Sequence, residues 1–303
     1  MTIPAWFILC IAALFFLFGA HPDGVMPASA DQGRPTLQTP APDQWLYQGI
    51  YIDKYAEMAG DVAKENDLLR WCQNYHFNVL TLYGMGTVLR SPKLHPALAD
   101  FIRRAKTSYG IKQVSAVVTK AATVTSLIDP YNNDRGNSRG RLDYTNLELE
   151  WWNKAADFET YDADLQQMQE WGRRQSPAVP NEEYIGWFKN PEGEDSLMAA
   201  RLVQHSARIL VHDYQKSFTF SYLQSRLDWI GRAARAQGKI MPVIIIFSPK
   251  QEFSYDYFAG HSFDDAWQWV TAAFRDAQFP GKDNIQLIGY QIYNQTYARQ
   301  CKP

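Results

Sequence analysis

The sequence predicts an α/β fold, a single (β/α)8 barrel of the TIM type, on three observations. Eight short apolar runs rich in β-branched and aromatic residues recur along the chain, segments with helical spacing lie between them, and several of those segments end in a glycine break before the next run. Strand and helix alternating with short returns call for parallel strands covered by helices. Eight such units in about 250 residues suit a closed barrel. An open doubly wound sheet would carry fewer strands and a glycine-rich phosphate turn, and neither GxGxxG nor GxxxxGK occurs.

The first strand is expected at Gln48 to Ile52, followed by Leu68, Leu69, Cys72 and Tyr75 at helical spacing. The second, Asn78 to Tyr83, precedes a helix marked by Leu98, Phe101, Ile102 and Ala105 and closed by Tyr109-Gly110. After the third, Gln113 to Val118, the crossover Thr119 to Leu142 is irregular. Pro130, Asn132, Asn133, Asp134, Gly136, Asn137 and Gly140 make it read as a long loop at the barrel mouth. The fourth and fifth strands are expected at Tyr144 to Trp151 and Tyr184 to Phe188. The sixth, Arg208 to Tyr214, leads to a helix carrying Phe220, Leu223, Leu227 and Ile230 and ended by Gln237-Gly238. The seventh, Ile240 to Phe247, leads to Phe263, Trp267, Val270 and Phe274, then Pro280-Gly281 and the eighth strand, Ile285 to Tyr293. No long helix follows, so the tail Asn294 to Pro303 has to cover the last sector, near the first helix.

The chain begins with an apolar run, Ile3 to Ala20, and Ala28-Ser29-Ala30 precedes Asp31. Residues 1–30 therefore read as a secretory signal, 31–43 as a proline-containing linker and 44–303 as the barrel. The first segment lacks Lys and Arg, so an uncleaved membrane anchor is the alternative. Either way the barrel is expected to be secreted or periplasmic. In an oxidising compartment Cys72 and Cys301 are an even pair, and a disulfide joining the tail to the first helix is one expectation; two unpaired thiols are the other. Thirty basic and 32 acidic residues give a net charge of −2, which argues against nucleic acid or an anionic membrane surface as partners. No His/Cys cluster has metal-ligand spacing, and no metal, nucleotide or flavin cofactor is implied.

The chemistry concentrates in the run Asp143 to Glu150, DYTNLELE, where a core strand should be apolar. Strand side chains alternate faces, so Asn146, Glu148 and Glu150 share one face opposite Leu147 and Leu149. Unpaired buried carboxylates cost several kcal/mol each. The sequence must therefore pair them, for instance with Arg135, Arg139 or Arg141, or open them to a cleft and use them. Barrel active sites lie at the carboxyl ends of the strands. Glu150 falls there on the fourth strand, with Tyr51 and Asp53 on the first, Tyr83 on the second, Asp213, Tyr214 and Gln215 on the sixth, and Gln291 and Tyr293 on the eighth.

Asp143-x-x-Asn146-x-Glu148-x-Glu150 resembles the fourth-strand DxxDxDxE motif of glycoside hydrolase family 18, the chitinases and endo-β-N-acetylglucosaminidases. Leu210-Val211-His212-Asp213 resembles that family's MxYD, and Tyr293 stands where a floor Trp is usual. The resemblance implies hydrolysis of an N-acetylhexosamine-containing oligo- or polysaccharide, with Glu150 as general acid and base and Glu148 as its partner carboxylate. The substrate's 2-acetamido group would be the nucleophile. Tyr51, Asp213 and Tyr214 would hold the sugar, and Trp151 or Trp152 and Tyr293 would stack on it. Asn146 replaces an acid, Glu148 is longer than the usual Asp, and His212 and Tyr293 replace Tyr and Trp. These departures keep two alternatives open: a non-catalytic, lectin-like glycan-binding barrel, and direct displacement using an acid from another strand, Asp53 or Asp213.

Overall fold

The structure, a computed structural model, describes residues 45–134, 139–188 and 195–301. The expected signal segment and linker lie outside the described residues, as does Arg135. Eight parallel strands close into a barrel in sequence order: β1 (Tyr47–Ile52), β2 (Val79–Leu82), β3 (Gln113–Val118), β4 (Tyr144–Leu147), β5 (Asn181–Ile185), β6 (Arg208–Asp213), β7 (Met241–Phe247) and β8 (Ile285–Ile292). Closure comes from β8 returning to β1, with Tyr47 opposite Gly289 and Ile50 opposite Ile292. The run Val243 to Phe247 is fully buried because such strands face the barrel interior on one side and helices on the other.

Two strands depart from the sequence expectation. β5 lies at Asn181–Ile185 rather than Tyr184 to Phe188, because its polar residues are satisfied by distant partners. Asn181 Nδ2 donates to His205 O (2.8 Å), Glu182 accepts from Arg208 Nε (2.6 Å), and Glu183 accepts from Tyr161 (2.7 Å). β4 stops at Leu147 and the chain turns, so Glu150 precedes a short 3-10 turn, Trp151–Asn153, instead of prolonging a strand.

Six longer helices surround the sheet among the described residues: α1 (Val62–Asn74), α2 (His95–Ser108), α3 (Phe158–Arg174), α4 (Asp195–His205), α5 (Phe220–Ala236) and α6 (Phe263–Asp276). Each buries one apolar stripe, for example Leu98, Phe101, Ile102 and Ala105 on α2. Burial of such a Leu, Ile or Phe side chain is worth roughly 1.5–3 kcal/mol. Side-chain caps fix several starts: Asp61 accepts from Lys64 N, Asp157 from Thr160 N, and Ser262 and Asp265 form a capping box. The first part of the β3–β4 crossover is helical rather than loop: turns run at Ala121–Thr123, Val124–Ile128 and Asp129–Asn133, and the Asn132 side chain exchanges two 3.0 Å hydrogen bonds with the Leu142 backbone.

The tail does reach α1. Arg299 pairs with Asp67 (3.1 Å) and lies over Trp71, and Tyr75 donates to the Cys301 carbonyl (3.1 Å). The expected Cys72–Cys301 disulfide is nonetheless absent, and both thiols are buried and free. Cys301 Sγ turns back to the Tyr297 carbonyl of its own helical turn (3.7 Å), while Cys72 is packed into the core of α1. No helix among the described residues is long and apolar enough to cross a membrane.

Inside the barrel, the lower part is a buried polar network. Glu182 accepts from Asn146 Nδ2 (3.0 Å) and pairs with Arg208, whose guanidinium lies 4.0 Å from the Tyr144 ring centre and 4.7 Å from that of Tyr47. Tyr47 donates to Gln291 Oε1 (2.7 Å). A β-bulge at the β7–β8 pairing sets what stands above it, since Val243 faces Leu287 but Ile244 faces Gly289. The extra residue exchanges the two faces of β8, bringing Gly289, Gln291 and Tyr293 to the inside. Glycine is required at 289, where φ is +151° and a Cβ would come within 1.9 Å of Tyr47 O.

Candidate active site

Above the network, at the carboxyl ends of the strands, a cleft of about 270 Å³ is lined by Glu148, Glu150, Trp152 and Asn153 after β4 and by Tyr184 and Trp187 from β5. His212 and Tyr214 from β6, Lys250, Glu252 and Phe253 after β7, and Tyr293 after β8 complete it. Glu148 continues the inner face of β4, its N–H still bonded to Val118 O (2.9 Å), so it stands one layer above Asn146. Glu150 reaches the same cleft through the turn, where Asn153 Nδ2 holds its carboxylate at 2.6 Å. The two carboxyls thus converge, though not as the rungs of one strand.

No described Lys or Arg forms an ion pair with either carboxyl; Arg141 instead donates to Ser176 O (2.7 Å). Glu148 accepts a short hydrogen bond from Tyr83. Burial pushes the Glu148 carboxyl up to about 7, the Tyr83 hydrogen bond opposes the rise, and the charge on Glu150 adds to it. The group therefore holds its proton up to neutrality. Because the two carboxyls interact, the proton belongs to the pair.

Aromatic rings wall the cleft. Tyr51 lies beneath it, buried, with ring centres 5.4 Å from Tyr83 and 5.6 Å from Tyr293. Tyr214 packs on His212 (4.6 Å), Phe253 (5.0 Å) and Tyr293 (5.9 Å). His212 is held neutral, lowered to about 3 by burial and then by Arg226. Arg226, on α5, is buried and clamps two strand ends by donating to Gly186 O (2.7 Å) and His212 O (2.8 Å). It also packs over the rings of Trp187 and Tyr222.

Several residues expected at the site stand elsewhere. Asp143 is at the amino end of β4, where it accepts from Val114 N (2.8 Å) and pairs with Lys106 (2.7 Å), a structural tie. Asn146 and Gln291 belong to the buried network below. Asp53 caps the C-terminal turn, accepting from Thr296 N and Oγ1 (3.2 and 2.6 Å). Asp213 alternates with the cleft-lining His212 and Tyr214, so it faces the helices, where burial raises its carboxyl to about 7. Gln215 donates to Asp213 (2.5 Å) and Thr219 O rather than entering the cleft. Neither Asp53 nor Asp213 is placed for displacement chemistry. Trp151 packs on Phe158 and Tyr161 of α3, and Trp152 alone of the pair lines the cleft.

The sequence reading missed Tyr184, Trp187, Asn153, Lys250, Glu252 and Phe253. The last three sit on the loop after β7, and a loop at the carboxyl end of a barrel strand is itself a signal of site position. Tyr184 would have followed from a correct placement of β5.

No family model matches the sequence, and no curated protein matches it. Solved structures do. The catalytic domain of a family 26 endo-beta-1,4-mannanase from Bacillus sp. JAMB-750 matches with a TM-score of 0.50 and 13% identity, over 86% of this chain and 79% of that one. A Toxoplasma gondii protein assigned to the deoxyribose-phosphate aldolases gives 0.49 and 11%, over 85% and 90%. A family 128 endo-beta-1,3-glucanase from Amycolatopsis mediterranei, in complex with laminarihexaose, gives 0.41 and 11%, over 82% and 89%. At such identity the likeness is to the fold, a (β/α)8 barrel, and does not extend to a reaction.

Proposed function

We propose that this chain is a glycoside hydrolase that cleaves an N-acetylhexosamine-containing glycan, a class that includes chitin, peptidoglycan and N-glycan cores, and that it works outside the cytoplasm. The supporting observation is the pair Glu148 and Glu150, unneutralised by any described cation and facing one aromatic-walled cleft at the carboxyl ends of the strands. Aromatic faces suit pyranose rings, and a carboxyl pair carrying one proton suits acid–base work on a glycosidic oxygen.

In this reading the pair's one proton passes from Glu148 to Glu150 when substrate binds, and Glu150 gives it to the leaving oxygen as the glycosidic C–O bond breaks. The substrate's acetamido oxygen bonds to the anomeric carbon, and Glu148 orients the acetamido N–H and stabilises the positive charge that develops there. Water then adds at the anomeric carbon, Glu150 takes its proton, and the acetamide is regenerated. Tyr293 and Tyr214 offer stacking faces.

The test is a screen of the purified chain against N-acetylglucosamine polymers and glycoproteins, with Glu150→Gln alongside. Loss of a general acid–base group should cost about 10²–10⁴-fold in turnover while glycan binding persists. Binding without cleavage of any substrate by the unaltered chain would assign it instead to the lectin-like barrels.

A further inference from the structure

At the end of the barrel away from the cleft, a second cavity of about 250 Å³ opens among the amino ends of β5, β6 and β7. Its wall includes Gln169 and Arg173 from the last turns of α3, Asn181 at the start of β5, Gln204 near the end of α4, and Lys239 just before β7. Three carboxyls and one ammonium line the cleft; two cations and no carboxyl line this cavity. Local structure holds the cations in place. Gly172 lets α3 end directly against the return to β5, since a Cβ there would come within 2.0 Å of Val179 O, and Arg173 follows it. Lys239 Nζ donates to Val203 O in the last turn of α4 (2.7 Å). Gln169 Nε2 and Asn181 Nδ2 donate to the next two carbonyls, Gln204 O (3.1 Å) and His205 O (2.8 Å). The negative end of α4 is thereby satisfied, with two N–H groups of Lys239 to spare among the described residues. Arg173 makes no hydrogen bond or ion pair with any described residue, so capping does not account for it. Burial and then the charge of Arg173 hold the Lys239 ammonium below its ordinary range, so the two cations stand close enough to repel.

We infer that this cavity is a binding site for a small phosphate monoester, with the phosphoryl group seated between Arg173 and Lys239. Two neighbouring cations with no acid between them are stabilised by an anion that offsets both charges. The guanidinium offers a planar fork and the ammonium a point charge. A phosphoryl group has three terminal oxygens and can serve each with a separate one, which a carboxylate with two oxygens in one plane does less well. The cavity lies just below the usual span of small-molecule pockets, roughly 300–1,000 Å³, so it suits a phosphoryl group with a short alcohol attached and excludes an oligosaccharide. The exposed Gln204 side chain, without a partner among the described residues, is left for hydroxyls of that alcohol. The site lies across the barrel from the carboxyl pair and does not depend on the reaction proposed there.

Calorimetry on the full chain with glycerol 3-phosphate, at an ionic strength matched with sodium chloride, should give a dissociation constant of about 1 mM or tighter, and glycerol should give no heat. Arg173→Gln removes no cap, so it should leave thermal unfolding unchanged while weakening binding by about tenfold or more, the equivalent of one charge-assisted hydrogen bond. Lys239→Gln should weaken binding likewise, and its thermal unfolding reports the separate cost of the lost α4 cap. Vesicles distinguish the two sources of such a group. Retention on phosphatidylcholine vesicles containing phosphatidic acid beyond that on phosphatidylcholine alone, competed by glycerol 3-phosphate and lost in Arg173→Gln, would support the site with a lipid headgroup as its ligand. Equal retention on both vesicles, with glycerol 3-phosphate still bound, would support the site with a soluble ester as its ligand. The absence of both heat and vesicle preference would overturn the assignment, as would binding that Arg173→Gln and Lys239→Gln both leave unchanged.

Discussion

Glu182 and Glu148 project into the same barrel from neighbouring strands, one layer apart, and the protein treats them in opposite ways. Glu182 is fully buried and neutralised, paired with Arg208 and hydrogen-bonded by Asn146, with Tyr47 and Tyr144 over the guanidinium. Glu148 meets a neutral phenol, Tyr83, and a second carboxyl, Glu150, and its proton affinity rises to about 7. The lower carboxylate is part of how the barrel is built; the upper one is left for a proton or a ligand to satisfy. Charge alone did not distinguish them: Glu148 has no partner cation and lines the cleft, whereas Glu183, equally without a cation, is sealed away against Tyr161.

Breaking the lower pair should have the largest effect on stability. Arg208→Met leaves Glu182 buried without its cation, and such breakage costs roughly 3–5 kcal/mol. Urea denaturation should show a lowered midpoint. Adding Glu182→Gln, which removes the stranded charge, should recover a large part of the loss. If Arg208→Met alone lies within about 1 kcal/mol of the unaltered chain, the network does not carry the weight assigned to it.

The same contrast explains which parts of the molecule the sequence reveals. Closure into eight parallel strands was legible because strands such as Met241–Phe247 are apolar on both faces, a pattern few other folds demand. β5 was misplaced because Asn181, Glu182 and Glu183 look unlike a core strand until His205, Arg208 and Tyr161 arrive from elsewhere in the chain. Of the residues the sequence pointed to, Glu148, Glu150, Trp152, Tyr214 and Tyr293 line the cleft, whereas Asp213 lies on the opposite face of its strand. Its neighbour His212 points into the cleft instead, and side-chain parity on a strand depends on register, which a single sequence does not fix. The bulge that turns Tyr293 inward is likewise a property of pairing between β7 and β8.

Glu148 should make the protein more stable in acid than in mild base, and its amide should remove that dependence. In the native state the carboxyl titrates near 7 against an ordinary value of 4.5. Below pH 4.5 it is protonated in both folded and unfolded chains, so nothing is lost. Between pH 4.5 and 7 the unfolded chain has already released the proton that the native chain still holds, so stability falls across that window, by about 3 kcal/mol in all, and levels off above it. Glu148→Gln should therefore match the unaltered chain near pH 4.5 and exceed it progressively up to pH 7, with a steady margin above, in thermal or urea unfolding. Glu183 and Asp213, raised to about 8 and about 7 by burial, contribute a decline of the same sign to both proteins and cancel in the difference. A constant gap between the two across this range would mean that Glu148 is not titrating as its surroundings require.

The smallest effect tests the contact that most resembles neutralisation at the mouth. The Tyr83 hydrogen bond lowers the proton affinity of Glu148, against the burial that raises it. Tyr83→Phe removes the donor and keeps the ring, so the packing with Tyr51 at 5.4 Å is retained. Loss of a hydrogen bond worth about 1–1.5 kcal/mol to the charged form should move the carboxyl titration upward by about one pH unit, read by carbon-13 resonances of labelled glutamate. In the hydrolase reading the pH–rate profile should shift in the same direction, because the pair then keeps its shared proton to higher pH. An unmoved titration would show that Tyr83 contributes a ring to the wall and no control over the proton. Glu148 would then depend on burial and on Glu150 alone, and the contrast with the cation-paired Glu182 would be sharper still.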